Sequence, residues 1–244
     1  METAKNPDDK ILSYNDVVLR RSDLEILSGP HFLNDRIIEF YFSHLGTRFP
    51  NKEVLLVPPS IAFWIKECPD NNDLLRDFLK PLNLHTRKLI IFPVNDNADV
   101  ELAGGGSHWS LLAFVRRRCS GGDGVFVHHD SYGSHNGEHA RRVYLAVRRH
   151  VVGEEEEEAR VAAAYVERPI EPGQTNGYDC GVYVAAVAEA ICEWWWCHAG
   201  VGPAGGGKED GLWFRELDEK VKQSRVSRMR GEILELVREM MAER

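Results

Sequence analysis

Gln174-Thr175-Asn176-Gly177-Tyr178-Asp179-Cys180-Gly181 is the stretch that decides the fold. It is a polar loop that ends at a cysteine, and an apolar run from Val182 to Trp196 begins directly after it. This run is apolar on nearly all sides, which predicts a helix buried at the centre of the molecule. Cys180 then lies in the first turn, where free N–H groups and the helix dipole favour a thiolate. A lone cysteine is also commonly just a small buried apolar residue, and that alternative stays open at this point.

The composition provides ample apolar material for a core and excludes several classes of partner. The chain has 244 residues, 43% of them hydrophobic and 28% charged, and a formal charge of −8. That fits one large domain or two small ones. No contiguous basic face is evident, so nucleic acid is not expected as a partner. No run approaches the ~18 apolar residues that span a bilayer, and the N-terminus lacks the apolar core of a signal peptide, so no membrane is expected either.

The cysteines indicate free thiols in a reducing compartment. Their number is odd and they have no framework spacing: Cys68, Cys119, Cys180, Cys192 and Cys197. We therefore expect an intracellular protein, in the cytoplasm, the nucleus or both. The group Cys192, Cys197 and His198 has no second ligand pair beside it, so neither zinc nor another metal is expected.

The order of patterns along the chain predicts one α+β domain. Residues 1–10 are expected to be disordered, and Ser22-Asp23-Leu24-Glu25 has the form of a capping box that starts a short helix. Asn34 is expected to cap a second helix. The remaining helical patterns lie at 59–65, 73–80, 138–152, 182–196 and 212–241. The strand patterns lie at 54–57, 89–94, 108–115, 124–130 and 161–166. Pro93 indicates that its strand ends there or lies at an edge.

A histidine and a carboxylate are expected to meet at one end of a hairpin. The runs 108–115 and 125–130 are joined by a short turn, so antiparallel pairing is the default. The start of the first strand then lies beside the end of the second, which places His108 opposite Asp130 to within about two residues. A carboxylate beside a histidine orients the imidazole for base catalysis and stabilises its charged form. Such a pair can equally be structural.

Gln174 is a candidate for stabilising a negative oxygen during the reaction. It precedes Cys180 by six positions, across a turn that contains Gly177. Its side-chain amide can therefore point back toward the thiol, and with the backbone N–H of Cys180 it would form an oxyanion hole. The alternative is a loop glutamine exposed to water.

The chain order of these motifs resembles the Ulp/sentrin-specific family of ubiquitin-like-protein proteases. The motifs are His108-Trp109, then Asp130, then Gln174-x-Asn176-Gly177-x-Asp179-Cys180-Gly181. Within the family the chain looks most like the short deneddylating proteases, which act on the ubiquitin-like Nedd/Rub modifier. The supporting stretches include Leu33-Asn34-Asp35-Arg36, Asn95-Asp96-Asn97 and Gly104-Gly105-Gly106-Ser107-His108-Trp109.

The resemblance implies a fold and a set of roles. The fold is α+β, of the Ulp cysteine protease type, with a mixed central sheet and the nucleophile at the N-terminus of a buried central helix. A single protease domain covers residues 11–244, and three segments look like surface insertions: 116–124, 153–159 and 199–211. By resemblance Cys180 is the nucleophile, His108 the general base and acid, Asp130 the carboxylate that orients it, and Gln174 the oxyanion donor.

Four further residues are implied as substrate contacts. Trp109 would form the flat wall of a narrow tunnel for a Gly-Gly tail, although an aromatic there is equally consistent with core packing. Asn95 begins a glycine-containing loop, residues 95–106, which would close as a lid over that tail. Phe32 and Asp35 would contact the modifier. Phe32 stands where the family usually carries tryptophan, and Asp35 can instead simply help to cap a helix.

The resulting hypothesis is a thiol isopeptidase and C-terminal hydrolase of the Nedd/Rub modifier. It would process the precursor and release the modifier from protein conjugates, of the cullin type by resemblance, without a cofactor. Nothing in the sequence requires more than a monomer. The alternatives are the same chemistry on SUMO or ubiquitin, or acyl transfer, since some pathogen acetyltransferases resemble this family. An inactive modifier-binding module is disfavoured because every catalytic role is filled.

Overall fold

The computed structural model describes residues 6–68, 72–102, 104–116, 124–151, 163–198 and 212–243. Residues 1–5 of the segment predicted to be disordered lie outside these ranges. So do residues 117–123 of the first predicted insertion and the whole of the other two, 153–159 and 199–211.

A five-stranded mixed sheet forms the middle layer, in the order β3-β4-β5-β6-β7. The strands are β3 (Val54–Leu56), β4 (Leu89–Asn95), β5 (Trp109–Arg116), β6 (Gly124–His129) and β7 (Ala164–Glu167). The two outer pairs are parallel and the two inner pairs are antiparallel. Because β4 and β6 are buried along their whole length, their sequences are mainly continuous apolar runs and not alternating ones, with polar residues only at the ends, Asn95 in β4 and His128-His129 in β6. The predicted α+β class and mixed sheet are confirmed.

Helices cover both faces of this sheet. They are α1 (Arg21–Ser28), α2 (Asp35–Arg48), α3 (Pro59–Glu67), α4 (Asn72–Leu79), α5 (Gly137–Val147), α6 (Cys180–His198), α7 (Phe214–Lys220) and α8 (Gln223–Ala242). One core cluster joins α2, α6 and α8 to one face, and a second joins α3 and α5 to the other. Every residue from Cys180 to Ala188 is buried, which confirms the predicted central helix. Among the described residues, no helix has the length and apolar character needed to cross a membrane.

The N-terminal region differs from prediction in two ways. A hairpin of β1 (Lys10–Tyr14) and β2 (Val17–Arg20) precedes α1, where the sequence pattern predicts no strand. The predicted capping box of Ser22 and Glu25 is wrong. Helix α1 is capped at Arg20, whose backbone N–H donates to the Asp23 carboxylate at 2.7 Å, because Asp23 and not Glu25 occupies the third helical position.

Two other local predictions are confirmed. The Asn34 side chain accepts a hydrogen bond from the Ile37 N–H at 3.1 Å, so it caps α2. Pro93 lies inside β4, but β3 pairs only with Leu89–Ile91. Beyond Ile91 the strand has a neighbour on one side alone, where a residue without an N–H is tolerated.

Candidate active site

His108 and Asp130 meet at the predicted end of the hairpin. The pairing of Leu111 with His129 in β5 and β6 brings the residue before one strand close to the residue after the other. His108 Nε2 lies 2.7 Å from Asp130 Oδ1, and both residues are buried. The predicted contact is therefore confirmed.

Hydrogen bonds from the backbone hold the Asp130 carboxylate in place. Its Oδ1 accepts from the Tyr132 N–H and its Oδ2 from the Asn136 N–H, each at 2.8 Å. The Asn136 side chain also donates to the His108 carbonyl at 3.2 Å, so one buried asparagine contacts both partners. Burial raises the pKa of Asp130. The hydrogen bond from His108, those backbone donors and the charge of His108 lower the pKa by more than burial raises it, so the net shift is downward.

His108 also contacts Cys180. Burial lowers the pKa of His108, but its hydrogen bonds to Asp130 and to Cys180 and their charges outweigh burial and raise the pKa to about 9. Because Nε2 is taken by Asp130, Nδ1 is the ring atom that remains for the thiol. The imidazole is therefore held between a carboxylate and a buried cysteine, as nucleophilic catalysis by a thiol requires.

The loop that carries Gln174 is fixed at both ends. The Gln174 N–H donates to the Ser131 carbonyl at 2.8 Å, and Gln174 Oε1 accepts from the Ser131 hydroxyl at 2.9 Å. Since Ser131 directly follows Asp130, this contact ties the glutamine to the His108–Asp130 pair. Gln174 Nε2 donates to the Asn176 carbonyl at 2.8 Å. An amide nitrogen carries two N–H donors. Among the described residues only one of them is used, so the second N–H of Gln174 remains available.

Gln174→Ala is expected to lower kcat by about 10²–10³-fold, because one donor to the developing oxyanion is lost. The KM should change little, since the interaction forms only in the transition state. Steady-state kinetics on a modifier-tail substrate would measure both constants. Thr175→Ala, in the same loop but with its hydroxyl bonded to Gln223, serves as the matched control. Equal kinetics for both variants would contradict the predicted role.

Gly181 allows the nucleophile helix to approach the start of α2. A methyl group added at Gly181 would lie 2.8 Å from the Cβ of Leu33. The Leu33 carbonyl in turn accepts from Trp109 Nε1 at 2.9 Å. Trp109 is buried in the core that α6 shares, so the residue beside His108 and the residue after Cys180 pack on the same leucine.

Gly181→Ala should destabilise the protein by about 1–3 kcal/mol, because Leu33 has to move to accept the methyl group. Activity should fall as well, since the displaced backbone is that of the residue next to Cys180. Thermal unfolding and turnover are the measurements. Gly231→Ala is the matched control: nothing lies within 4 Å of the added methyl in α8, and alanine should stabilise that helix by about 1 kcal/mol. Equal stability of both variants would contradict the close approach.

The other predicted contacts lie around this site. Phe32 is 46% exposed. Asp35 is the first residue of α2, and burial raises the pKa of its carboxyl group, although its backbone hydrogen bond and the charge of Arg36 act in the opposite direction. Asn95 is the last residue of β4 and lies opposite Trp109 in the sheet. The roles of Trp109, Phe32, Asp35 and Asn95 in binding a modifier stay predictions.

The loop after Asn95 is held at its base by groups that sequence reasoning missed. Asp96 accepts from the backbone N–H groups of Ser107 and His108 at 2.7 and 3.0 Å, which closes the loop onto His108. The buried Lys66 ammonium donates to the carbonyls of Asn95 and Asn97. Asn95-Asp96-Asn97 stands out in the sequence as a polar run directly after a strand, and that was the available signal for Asp96.

No comparable sequence signal marks four other residues that shape the site: Lys66, Ser131, Asn136 and Arg230. Each acts through contacts with residues far away in the chain, such as Asn136 with Val94 and Arg230 with Asp179. Within the described ranges, no three His, Cys, Asp or Glu side chains are grouped as a metal ion would need.

Comparisons with known proteins agree with this geometry. The model of the "Ulp1 protease family, C-terminal catalytic domain" matches residues 31–193. NEDD8-specific protease 1 of Arabidopsis thaliana is 49% identical over 237 residues, which cover 97% of this chain and 96% of that protein. Sentrin-specific protease 8 of Homo sapiens is 35% identical over 189 residues, covering 76% of this chain and 82% of that protein.

Solved structures show the same fold at lower identity. A de-sumoylating protease superposes with a TM-score of 0.67 at 12% identity, covering 96% of this chain and 92% of that chain. The C-terminal Ulp1 protease domain in complex with Smt3, the yeast ortholog of SUMO, superposes with a TM-score of 0.56 at 18% identity, covering 91% and 90%. The Ulp-type fold predicted from the motifs is confirmed. With its sequence relatives, its fold and its buried Cys180–His108–Asp130 arrangement, the chain belongs to the Ulp1 protease family of cysteine peptidases.

Proposed function

We propose that this chain cleaves after the C-terminal Gly-Gly of NEDD8, both in the precursor and in conjugates with protein lysines. The chemistry is supported by the 2.7 Å contact of His108 with Asp130, together with the nearby Cys180, which contributes to the raised pKa of His108. The choice of modifier is supported by 49% identity to a NEDD8-specific protease over nearly the whole chain.

The geometry supports a thioester mechanism. The Cys180 thiolate attacks the carbonyl carbon of the final glycine, and the oxygen takes up negative charge between the Cys180 N–H and Gln174. His108 donates its proton to the leaving amine as the C–N bond breaks, which leaves an acyl-enzyme. His108 then takes a proton from water, the hydroxide adds to the thioester, and the modifier leaves with a free carboxylate while Cys180 is restored.

The free cysteines Cys180, Cys192 and Cys197 suit the reducing cytoplasm or nucleus, where we propose that the protein acts. This mechanism needs no cofactor. Conjugates of the cullin type are the substrates to test first.

A panel of electrophile-tipped modifiers tests chemistry and choice together. NEDD8, SUMO and ubiquitin that carry a thiol-reactive group at the C-terminus are incubated with the protein at equal concentrations. Covalent labelling of Cys180 by NEDD8, at a rate well above that for the other two, is the expected result. Labelling by SUMO or ubiquitin alone would overturn the choice of modifier, and no labelling at Cys180 by any probe would overturn the proposed activity.

A further inference from the structure

Arg230, in the C-terminal helix α8, is the centre of a buried polar contact with the residue before the nucleophile. Its Nε and Nη2 donate to Asp179 Oδ1 at 2.9 and 2.7 Å, and Nη2 also donates to the Tyr178 carbonyl at 3.2 Å. Nη1 donates to the carbonyls of Ile26, near the end of α1, and Gly29 at 3.0 and 3.2 Å, and Nη2 also donates to the His31 carbonyl at 3.0 Å. One guanidinium therefore joins three segments of the chain.

Asp179 is held at each of its polar atoms. Arg230 binds one carboxylate oxygen, and the Asn176 side chain donates to the other at 2.7 Å. The Asp179 N–H donates to Asn176 Oδ1 at 3.0 Å, and its carbonyl accepts from the Tyr183 N–H at 2.9 Å in the first turn of α6. Because the next residue is Cys180, the position of its backbone follows from these five bonds.

The same contact solves an electrostatic problem. A buried carboxylate adjacent to the nucleophile would oppose formation of the Cys180 thiolate by like-charge repulsion. A guanidinium that binds that carboxylate directly cancels its charge in a fixed geometry. Asp179 can then accept the hydrogen bonds that shape the loop without disfavouring the thiolate.

We propose that Arg230 is a positioning residue for the reaction. It fixes the backbone of Cys180 through Asp179, neutralises the Asp179 carboxylate, and ties both to the segment that leads into Phe32. Helix α8 thereby contributes to the active site through its contacts with the residues before Cys180. This inference rests on the proposed thiol protease activity.

Kinetics of two variants test the positioning. Arg230→Met should lower kcat by about 100-fold, because a shift of roughly 1 Å at a nucleophile has that effect. Arg230→Lys keeps the positive charge but loses the planar guanidinium with its paired N–H donors, and should lower kcat by about tenfold. The affinity for NEDD8, measured by titration in the Cys180→Ala background, should stay within about threefold. Arg225→Met is the matched control on the same helix, since Arg225 pairs only with Glu189 and Glu232 in the described chain, and its kcat should equal that of the wild type.

The rate of Cys180 alkylation by iodoacetamide as a function of pH tests the electrostatic role. In Arg230→Met the acidic limb of this rate profile should move to higher pH, because the unpaired Asp179 carboxylate opposes formation of the Cys180 thiolate. In the double variant Arg230→Met/Asp179→Asn the limb should move back toward that of the wild type. Should Arg230→Met fail to fold, as thermal unfolding would show, Arg230→Lys and the isosteric Asp179→Asn replace it, and each should lower kcat.

Two results would overturn the positioning role. One is a lower melting temperature with unchanged kcat per folded active site, which describes a purely structural contact. The other is additive losses in the single and double variants, since residues that act as one unit are not additive. Alkylation does not depend on which modifier is cleaved. An inactive wild type would therefore contradict the proposed function, while the alkylation profiles would still decide the role of Arg230.

Discussion

Cys180→Ala is expected to abolish cleavage of NEDD8-tail substrates, with kcat lower by about 10⁵–10⁶-fold, because no other group in the site forms the acyl-enzyme. Fold and modifier binding should survive, since Cys180 is a small buried residue that alanine nearly matches in size. The variant should therefore bind NEDD8 without turning it over. Cleavage of a fluorogenic NEDD8 amide and calorimetric titration with NEDD8 measure the two properties.

The chain contains its own control for this experiment. Cys197 is exposed near the end of α6, sixteen or more residues along the helix from any group of the site. Cys197→Ala should retain full activity. Substantial residual cleavage by Cys180→Ala, or an equal loss in Cys197→Ala, would show that Cys180 is not the nucleophile.

Asp130→Asn should lower kcat/KM by about 10³–10⁴-fold while the fold is retained. The carboxamide keeps the shape of the side chain but no longer stabilises the charged imidazole of His108, and it can hold the ring in the wrong tautomer. Steady-state kinetics and thermal unfolding would separate this effect from misfolding. Asp218→Asn, at an exposed carboxylate that pairs with Arg168, is the control and should remain fully active. Similar kcat/KM values for Asp130→Asn and the wild type would rule out this role.

Asp130→Asn is also expected to change the pH dependence of activity. His108 has its pKa raised from 6.5 to about 9, so the imidazolium that stabilises the thiolate is present below about pH 9 and is lost as the pH rises through that value. Activity of the wild type should therefore have an alkaline limb near pH 9. In Asp130→Asn the limb should move to lower pH, because a principal cause of the raised pKa is gone. Profiles of kcat/KM between about pH 6 and 10 would show it, and an unmoved limb would contradict the assignment.

The part of the fold that could be predicted depended on periodicity over long stretches. Most of helix α6 and of strands β4, β5 and β6 is buried, so their sequences are dominated by apolar residues over long stretches. The N-terminal hairpin was missed because its strands are short and only half-buried, and its turn depends on Asn15 with a φ of 49°. Asparagine adopts the left-handed backbone region more often than most residues, but no local sequence pattern marks the positions where it does so.

The predictable part of the site followed from adjacency along the chain or across one hairpin. His108 and Asp130 could be paired from the strand pattern, and Gln174 lies in the same loop as Cys180. Asn136 and Arg230 could not be placed, because their contacts join residues that are distant in sequence. Arg230 is 51 positions from Asp179 and 199 from His31. The packing of α8 against α1 and α6 brings these groups together.

The position of Arg230 in the chain has a consequence for the timing of synthesis. On the ribosome, the nucleophile loop emerges before α8, so for a time Asp179 has no guanidinium to neutralise it and Cys180 is poorly fixed. If Arg230 positions Cys180 as proposed, we expect the nascent chain to reach full reactivity at Cys180 only after α8 has docked. Full activity would then report that Arg230 has been translated and has reached Asp179.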